Sequence, residues 1–252
     1  MSTPKILWQT WKSKTDIPKR LAKFNQMWRD THSDYEWILL DDDDLRDMVE
    51  KITPQYLEAY DGFEHFIERV DFARYAILYG YGGVYADMDV KPLKRIDRFV
   101  ESGKIVLGSE PKEHTLLLYG RKSVPCNAFM ISPPGEPFWL EFMEYIVKNY
   151  SHKSGRPVWN TGPMALTKFI EENGEKYKDR LEVFDACYFY PLTGAGTVTV
   201  GCNMKKDSYV AHVWQNSWVD KSLTASPRFR ECWFWVFFIT FIVAWVYCFL
   251  KR

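Results

Sequence analysis

The sequence has no excess of charge: 33 Lys and Arg stand against 33 Asp and Glu, with no basic block. That excludes nucleic acid as the main partner, because binding by counterion release needs clustered cations facing the phosphates. Cysteine is sparse. The five residues Cys126, Cys187, Cys202, Cys232 and Cys248 are odd in number and have no metal-like spacing, so neither a zinc site nor a disulfide framework is expected. No internal repeat or low-complexity tract is present. The opening MSTPKILWQTWKSK lacks the apolar core of a signal peptide. At 46% hydrophobic and 17% aromatic residues, the 252-residue chain has ample surface to bury, which excludes a disordered polymer.

One long apolar run is present, from Cys232 to Leu250, CWFWVFFITFIVAWVYCFL, without charge, Gly or Pro. As a helix it would be roughly 28 Å long, close to the hydrocarbon thickness of a bilayer, so a single C-terminal transmembrane helix is expected. With no export signal, the chain reads as tail-anchored. Basic residues flank the run on both sides (Arg228 and Arg230, Lys251 and Arg252), which leaves the orientation open. The expected organisation is a globular domain over 1–218, a polar linker over 219–231 and the membrane helix over 232–250.

Within the globular part, strand and helix signals alternate. Ile6-Leu7-Trp8 reads as a strand, and 18–30 as a helix with Leu21, Phe24, Met27 and Trp28 on one face. Tyr35–Leu40 reads as a second strand, followed by a helix after Asp41–Asp44. The four aspartates are read as the acidic N-terminus of that helix rather than as a second metal site. From Phe63 to Gly80 apolar residues recur at helical spacing. Gly82-Gly83 then turns the chain into Val84-Tyr85-Ala86, which ends in Asp87-Met88-Asp89. This alternation predicts an α/β fold with a mainly parallel sheet and ligands at the carboxyl ends of its strands. Two carboxylates at i and i+2 on an extended segment face the same way, so Asp87 and Asp89 are candidate ligands for one divalent cation. Asp71 and Arg74, three apart, share a face of the preceding, otherwise apolar helix.

The run RVDFARYAILYGYGGVYADMDV, from Arg69 to Val90, resembles the signature of glycosyltransferase family 32, the D-x-D sugar transferases that include initiating α-mannosyltransferases and inositol phosphorylceramide mannosyltransferases. Similar segments are PKILWQTWKSKTDIP, with Trp8 in place of the expected His, YEWILLDDDDLRDMV, NAFMISPPGEPFW, WNTGPMALT and AHVWQNSW, so the likeness runs from Pro4 to about Trp218. The resemblance implies a GT-A-type nucleotide-sugar-binding domain, a Mn2+ or Mg2+ cofactor, retention of anomeric configuration, and a nucleotide-sugar donor, GDP-mannose before a UDP-sugar. It implies that Asp71, Arg74, Asp87 and Asp89 are catalytic, that Asp87, Asp89 and His212 surround the metal, and that Trp8, Tyr85, Asn127, Ser217 and Trp218 bind the donor. In that scheme Trp8 stacks on the base and 212–218 closes over the diphosphate. With the apolar tail, it points to a membrane-associated lipid or glycan acceptor, such as inositol phosphorylceramide, in the endoplasmic reticulum or Golgi. A catalytically inactive sugar-binding or regulatory membrane subunit is the alternative. An aspartyl phosphatase of the D-x-D-x-T/V kind is disfavoured because Lys91 occupies the last position.

Overall fold

The computed structural model of the chain describes residues 2–152 and 156–215. The linker, the apolar run 232–250, and Ser217 and Trp218 lie outside the described residues. Among the described residues no helix is long and apolar enough to cross a membrane.

Eight strands run in the order β1 (Ile6–Thr10), β2 (Glu36–Leu40), β3 (Gly83–Ala86), β4 (Val90–Pro92), β5 (Ile105–Ser109), β6 (Pro125–Ser132), β7 (Leu181–Phe184) and β8 (Val210–His212). The α-helices are α1 (Lys19–Thr31), α2 (Asp42–Ile52), α3 (Leu57–Asp61), α4 (Phe66–Tyr81), α5 (Asp97–Val100), α6 (Lys112–Tyr119), α7 (Pro137–Asn149), α8 (Pro157–Asn160), α9 (Pro163–Tyr177), α10 (Ala186–Phe189) and α11 (Met204–Asp207). A six-stranded sheet has the order β2-β1-β3-β6-β5-β7, and β4 and β8 form a separate two-stranded ribbon. All strands of the large sheet run one way except β6, which is antiparallel to both neighbours. The sheet is therefore mainly parallel, as the alternation of strand and helix predicts.

Strand alternation builds two cores. Trp8, Tyr85, Met130, Ile105 and Leu107 face α2, α4, α7 and α9, while Leu7, Val84, Ala86, Phe129 and Val106 face the side covered by Trp28, Phe99 and Phe189. Helix α4 is buried along most of its length, which explains an apolar pattern with little one-sidedness. Its end is set by two glycines. Gly82 (φ 64°) and Gly83 (φ 97°) adopt left-handed backbone, and a Cβ on them would lie 2.6 Å from the Pro134 nitrogen and 2.7 Å from the Ile6 carbonyl oxygen respectively. At the start of α2, Asp41 accepts from the Asp44 N–H and Asp44 accepts from the Asp41 N–H, so the acidic run is a reciprocal cap.

The structure overturns one reading of the cysteines: Cys187 and Cys202, fifteen residues apart, form a disulfide. Their spacing carries no signature; the pairing follows from the return of the chain past α10 before it enters α11. Closing a loop of that size is worth about 3 kcal/mol through the unfolded chain. The double variant Cys187→Ser/Cys202→Ser is expected to lose about that much in chemical denaturation, and an unchanged midpoint would refute it.

His32, at the end of α1, is 2% exposed. Its Nε2 accepts from the Ile96 N–H at 3.1 Å, and its Nδ1 has no partner. Burial, with Arg95 adding to it, lowers its pKa from 6.5 to about 4. As pH falls below 6.5 the unfolded chain takes up a proton that the native state refuses, so native stability drops. The loss amounts to about 3 kcal/mol by pH 4. Equilibrium unfolding at pH 7 and pH 4 measures it. His32→Gln, which keeps an acceptor for Ile96, is expected to flatten this part of the profile, and a profile of unchanged slope would rule His32 out.

Candidate active site

The large sheet changes direction of progression at β1, whose neighbours β2 and β3 are reached by crossovers to opposite sides. Such a switch point opens a crevice at the carboxyl ends of the strands. Thr10 ends β1 there, and Asp87 directly follows β3.

Asp87 and Asp89 do not lie on an extended strand. They belong to a tight turn between β3 and β4, in which the Val90 N–H donates to the Asp87 carbonyl at 2.9 Å and the Asp87 N–H to the Ala128 carbonyl at 2.8 Å. The carboxylates therefore converge through turn geometry and not through strand alternation. The β4–β8 ribbon pairs Val90 with His212, which brings the imidazole over the turn, its Nε2 3.0 Å from Asp89 Oδ1. Ligand-capable atoms of Asp87, Asp89 and His212 all lie within 4.8 Å of one another. His212 Nδ1 has no hydrogen-bond partner, so no second bond ties the ring down. Two carboxylates and an imidazole suit a hard to intermediate divalent cation such as Mn2+, and the residues fit the cation that the D-x-D pattern implies.

Behind this cluster stands Arg74, 2% exposed. Its Nη1 is 3.3 Å from Asp87 Oδ1 and donates to the Asn127 carbonyl at 2.9 Å; its Nη2 is 3.4 Å from Asp71 Oδ1; and its guanidinium lies 4.5 Å from the centre of the Tyr85 ring. The Tyr85 hydroxyl donates to Asp87 at 2.8 Å and is itself 2.9 Å from Thr10 Oγ1. Asp71 has both carboxylate oxygens engaged, by Asn127 Nδ2 at 2.8 Å and by Thr161 Oγ1 at 3.0 Å. Asn127 Nδ2 also donates to the Tyr75 hydroxyl, which donates to the Thr161 carbonyl, and this closes the network.

Burial governs the charges. It raises the pKa of Asp71 to about 6 against the pull of Arg74, and raises that of Asp87 against the same guanidinium. Burial is the largest single influence on Arg74 and on His212 and opposes charge on both, but the surrounding groups together outweigh it, Asp87, Tyr85 and Asp71 for the first and Asp89, Asp87 and Glu110 for the second, so both pKa values rise. The hydroxyls of Tyr75 and Tyr85 are pushed far up by burial and remain donors.

The structure thus brings together Asp71, Arg74, Tyr85, Asp87, Asp89, Asn127 and His212. Tyr85 and Asn127 act on carboxylates of this cluster and are themselves almost inaccessible. Asp71, 5% exposed, and Arg74 are placed behind Asp87 and not in its open face. Trp8 is a correction. It is 4% exposed, its Nε1–H donates to the Gly82 carbonyl at 2.8 Å, and its ring packs against Tyr81, so it is turned toward the start of β3 and cannot stack on a base at the D-x-D end. Sequence reasoning missed Thr10, Tyr75 and Thr161 as members of the network. Tyr75 was within reach, because it lies four residues after Asp71 on the face that also carries Arg74. Thr161 carries no signal, since its contact with Asp71 spans ninety residues of chain.

Residues 18–105 match the family model described as "Glycosyltransferase sugar-binding region containing DXD motif". The chain is similar to the DXD glycosyltransferases. It is 32% identical over 167 residues to inositol phosphoceramide mannosyltransferase 3 of Schizosaccharomyces pombe, an alignment that covers 65% of this chain and 44% of that protein. It is 34% identical over 128 residues to the initiation-specific alpha-1,6-mannosyltransferase of Candida albicans, covering 48% of this chain and 33% of that one. The chain thus spans less than half the length of these curated relatives. Among solved structures, the ligand-free glycosyltransferase domain of the YGT toxin superposes with a TM-score of 0.51 at 9% identity, covering 71% of this chain and 79% of that one, and so the chain shares that domain's fold.

Proposed function

We propose that this protein is a metal-dependent, retaining glycosyltransferase that moves a hexose, mannose from GDP-mannose, to a membrane-associated acceptor of the inositol phosphorylceramide kind. One observation carries the proposal: the convergence of Asp87, Asp89 and His212 at the switch point of the sheet, backed by a buried arginine. The mannose donor and the glycolipid acceptor are supported by the names of the relatives. A catalytically inactive sugar-binding subunit is disfavoured because Asp71, Arg74, Asp87 and Asp89 are all present, with Arg74 engaging Asp71 and Asp87 and His212 engaging Asp89.

Asp87, Asp89 and His212 would hold the cation, which supplies Lewis-acid stabilisation of the negative charge that develops on the departing diphosphate. The chain's own residues do the rest. Arg74, fixed by Asp71, Asn127 and Tyr85, holds Asp87 in place and adds a permanent positive charge behind the reacting bond. Asp71 and Arg74 in this reading are positioning residues that act through Asp87. Ser217 and Trp218 are proposed to donate to the diphosphate from the segment that follows His212. Asp71 is unsuited to covalent attack, since it is buried and both its oxygens are bonded. We therefore place the acceptor hydroxyl on the same face of the sugar as the leaving group, with the leaving phosphate oxygen taking its proton. A glycosyl adduct trapped on any side chain would overturn this step.

The disulfide supports a luminal compartment. Such bonds persist in oxidising spaces and are rare in the cytosol, so the domain is proposed to face the lumen of the endoplasmic reticulum or Golgi. Protection of the domain from added protease in sealed vesicles checks it.

A melting screen of GDP- and UDP-sugars, each with and without Mn2+, tests the function. A ligand at about 100 times its dissociation constant adds about 2.7 kcal/mol to native stability. GDP-mannose with Mn2+ is expected to raise the melting temperature most. A larger shift with a UDP-sugar would move the donor assignment, and no shift with any pair would refute the enzyme.

A further inference from the structure

Helix α6 carries three consecutive leucines, Leu116, Leu117 and Leu118, that are 57%, 65% and 60% exposed. The loop 193–201 beside it exposes Val198 at 47% and Val200 at 81%. Helix and loop are bound to each other. Glu113 accepts from the Thr199 hydroxyl and, at 2.8 Å, from the Val200 N–H, and the Gly194 N–H donates to His114 Nε2 at 2.9 Å. The two exposed sets therefore form one apolar surface.

Its shape points to the occupant. Three successive helical residues spread over about 200° of the helix, since each step turns it by about 100°. A protein partner docks on one stripe of a helix, at i, i+3 and i+4, and would leave part of such a knuckle uncovered. A fluid apolar phase covers all of it. Lys112 and Lys122 bracket the leucines in sequence and are exposed, with stems long enough to keep their ammonium groups among headgroup phosphates.

The course of the chain adds a second argument. Trp214, near the last described residue, packs edge-on against His114 of α6 with ring centroids 4.6 Å apart, and its indole donates to the Leu192 carbonyl. It keeps this place in left-handed backbone (φ 52°), a conformation that bulky residues adopt only when their surroundings hold them there. The described chain therefore ends beside α6, and the apolar run read as a membrane span begins at Cys232 soon after. Trp214 also packs against His212, with ring centroids 4.2 Å apart.

We propose that α6 and the loop 193–201 form a shallow membrane-inserting surface that seats the domain on the bilayer with the D-x-D cluster one aromatic layer away. For the glycolipid acceptor proposed above, on which this clause rests, a headgroup would reach the site while its acyl chains stay in the membrane.

The test uses the full chain in phosphatidylcholine vesicles, in a Cys232→Ser/Cys248→Ser background, with an environment-sensitive fluorophore placed through Leu117→Cys or Val200→Cys. Glu175→Cys on α9, a site with a highly exposed side chain, is the control. Probes at 117 and 200 are expected to shift to the blue, to be quenched by doxyl-labelled lipid and to resist iodide, with the reverse at 175. Iodide quenching at 117 equal to that at 175 would overturn the proposal. So would shielding from both quenchers, since a protein would then cover the patch. Because the readout needs neither donor nor turnover, it separates this surface from the transferase assignment, which the melting screen tests alone.

Discussion

Asp89→Ala is expected to lower kcat/KM for sugar transfer, and donor hydrolysis in the presence of Mn2+, by about a thousandfold or more, the scale of several kcal/mol of lost stabilisation of leaving-group charge. The argument is local. Asp89 is the carboxylate nearest His212, at 3.0 Å, whereas the ion pair with Arg74 and the hydrogen bond from Tyr85 fall on Asp87. Removing it leaves the Asp71–Arg74–Asp87 network standing, so the native fold should persist with little change in melting temperature. The same variant should bind Mn2+ more weakly by paramagnetic resonance titration. Undiminished hydrolysis with weakened Mn2+ binding would show that the cation is dispensable; undiminished values of both would remove the cluster from the site.

Arg74→Met should have the largest effect on stability. The guanidinium is 3% exposed at its side chain, and it neutralises Asp71 where water does not reach to replace it, while Asp87 keeps an open face. Breaking a buried pair by deleting one partner costs about 3–5 kcal/mol, because the remaining charge is stranded. Denaturant unfolding measures that cost. The double variant Arg74→Met/Asp71→Asn is expected to recover part of it, since the neutral amide removes one stranded carboxylate, although Thr161 and Asn127 would have to accommodate it. A double variant no more stable than the single one would show that Asp87, and not Asp71, is the charge Arg74 exists to balance. Activity should be lost in both, which separates recovery of the fold from recovery of the site.

These two residues also show how far local reading reaches. The strand–helix alternation up to β3, the cap at Asp41, the glycine turn after α4 and the pairing of Asp71 with Arg74 are short-range features. They depend on periodicity, on propensity and on contacts within a few residues, and all were legible in the sequence. Asp87 and Asp89 converge as the sequence leads one to expect, but through a turn and not a strand, because a turn and an alternating strand look alike over three residues. Trp8 was misassigned because a position on a strand does not reveal which way a large ring is turned; the Gly82 carbonyl and Tyr81, more than seventy residues away, decide that.

By itself, then, the sequence determined the α/β alternation, the buried polar pair and the nearness of the two D-x-D carboxylates, since each is written in neighbouring residues. Only the tertiary structure decided that β6 runs against its neighbours, that His212 comes to Asp89 across the β4–β8 ribbon, that Thr161 and Asn127 clamp Asp71, and that Cys187 meets Cys202. Each of these contacts joins segments distant along the chain, and their energies exist only once the sheet and α4 have brought those segments within hydrogen-bond or bonding distance.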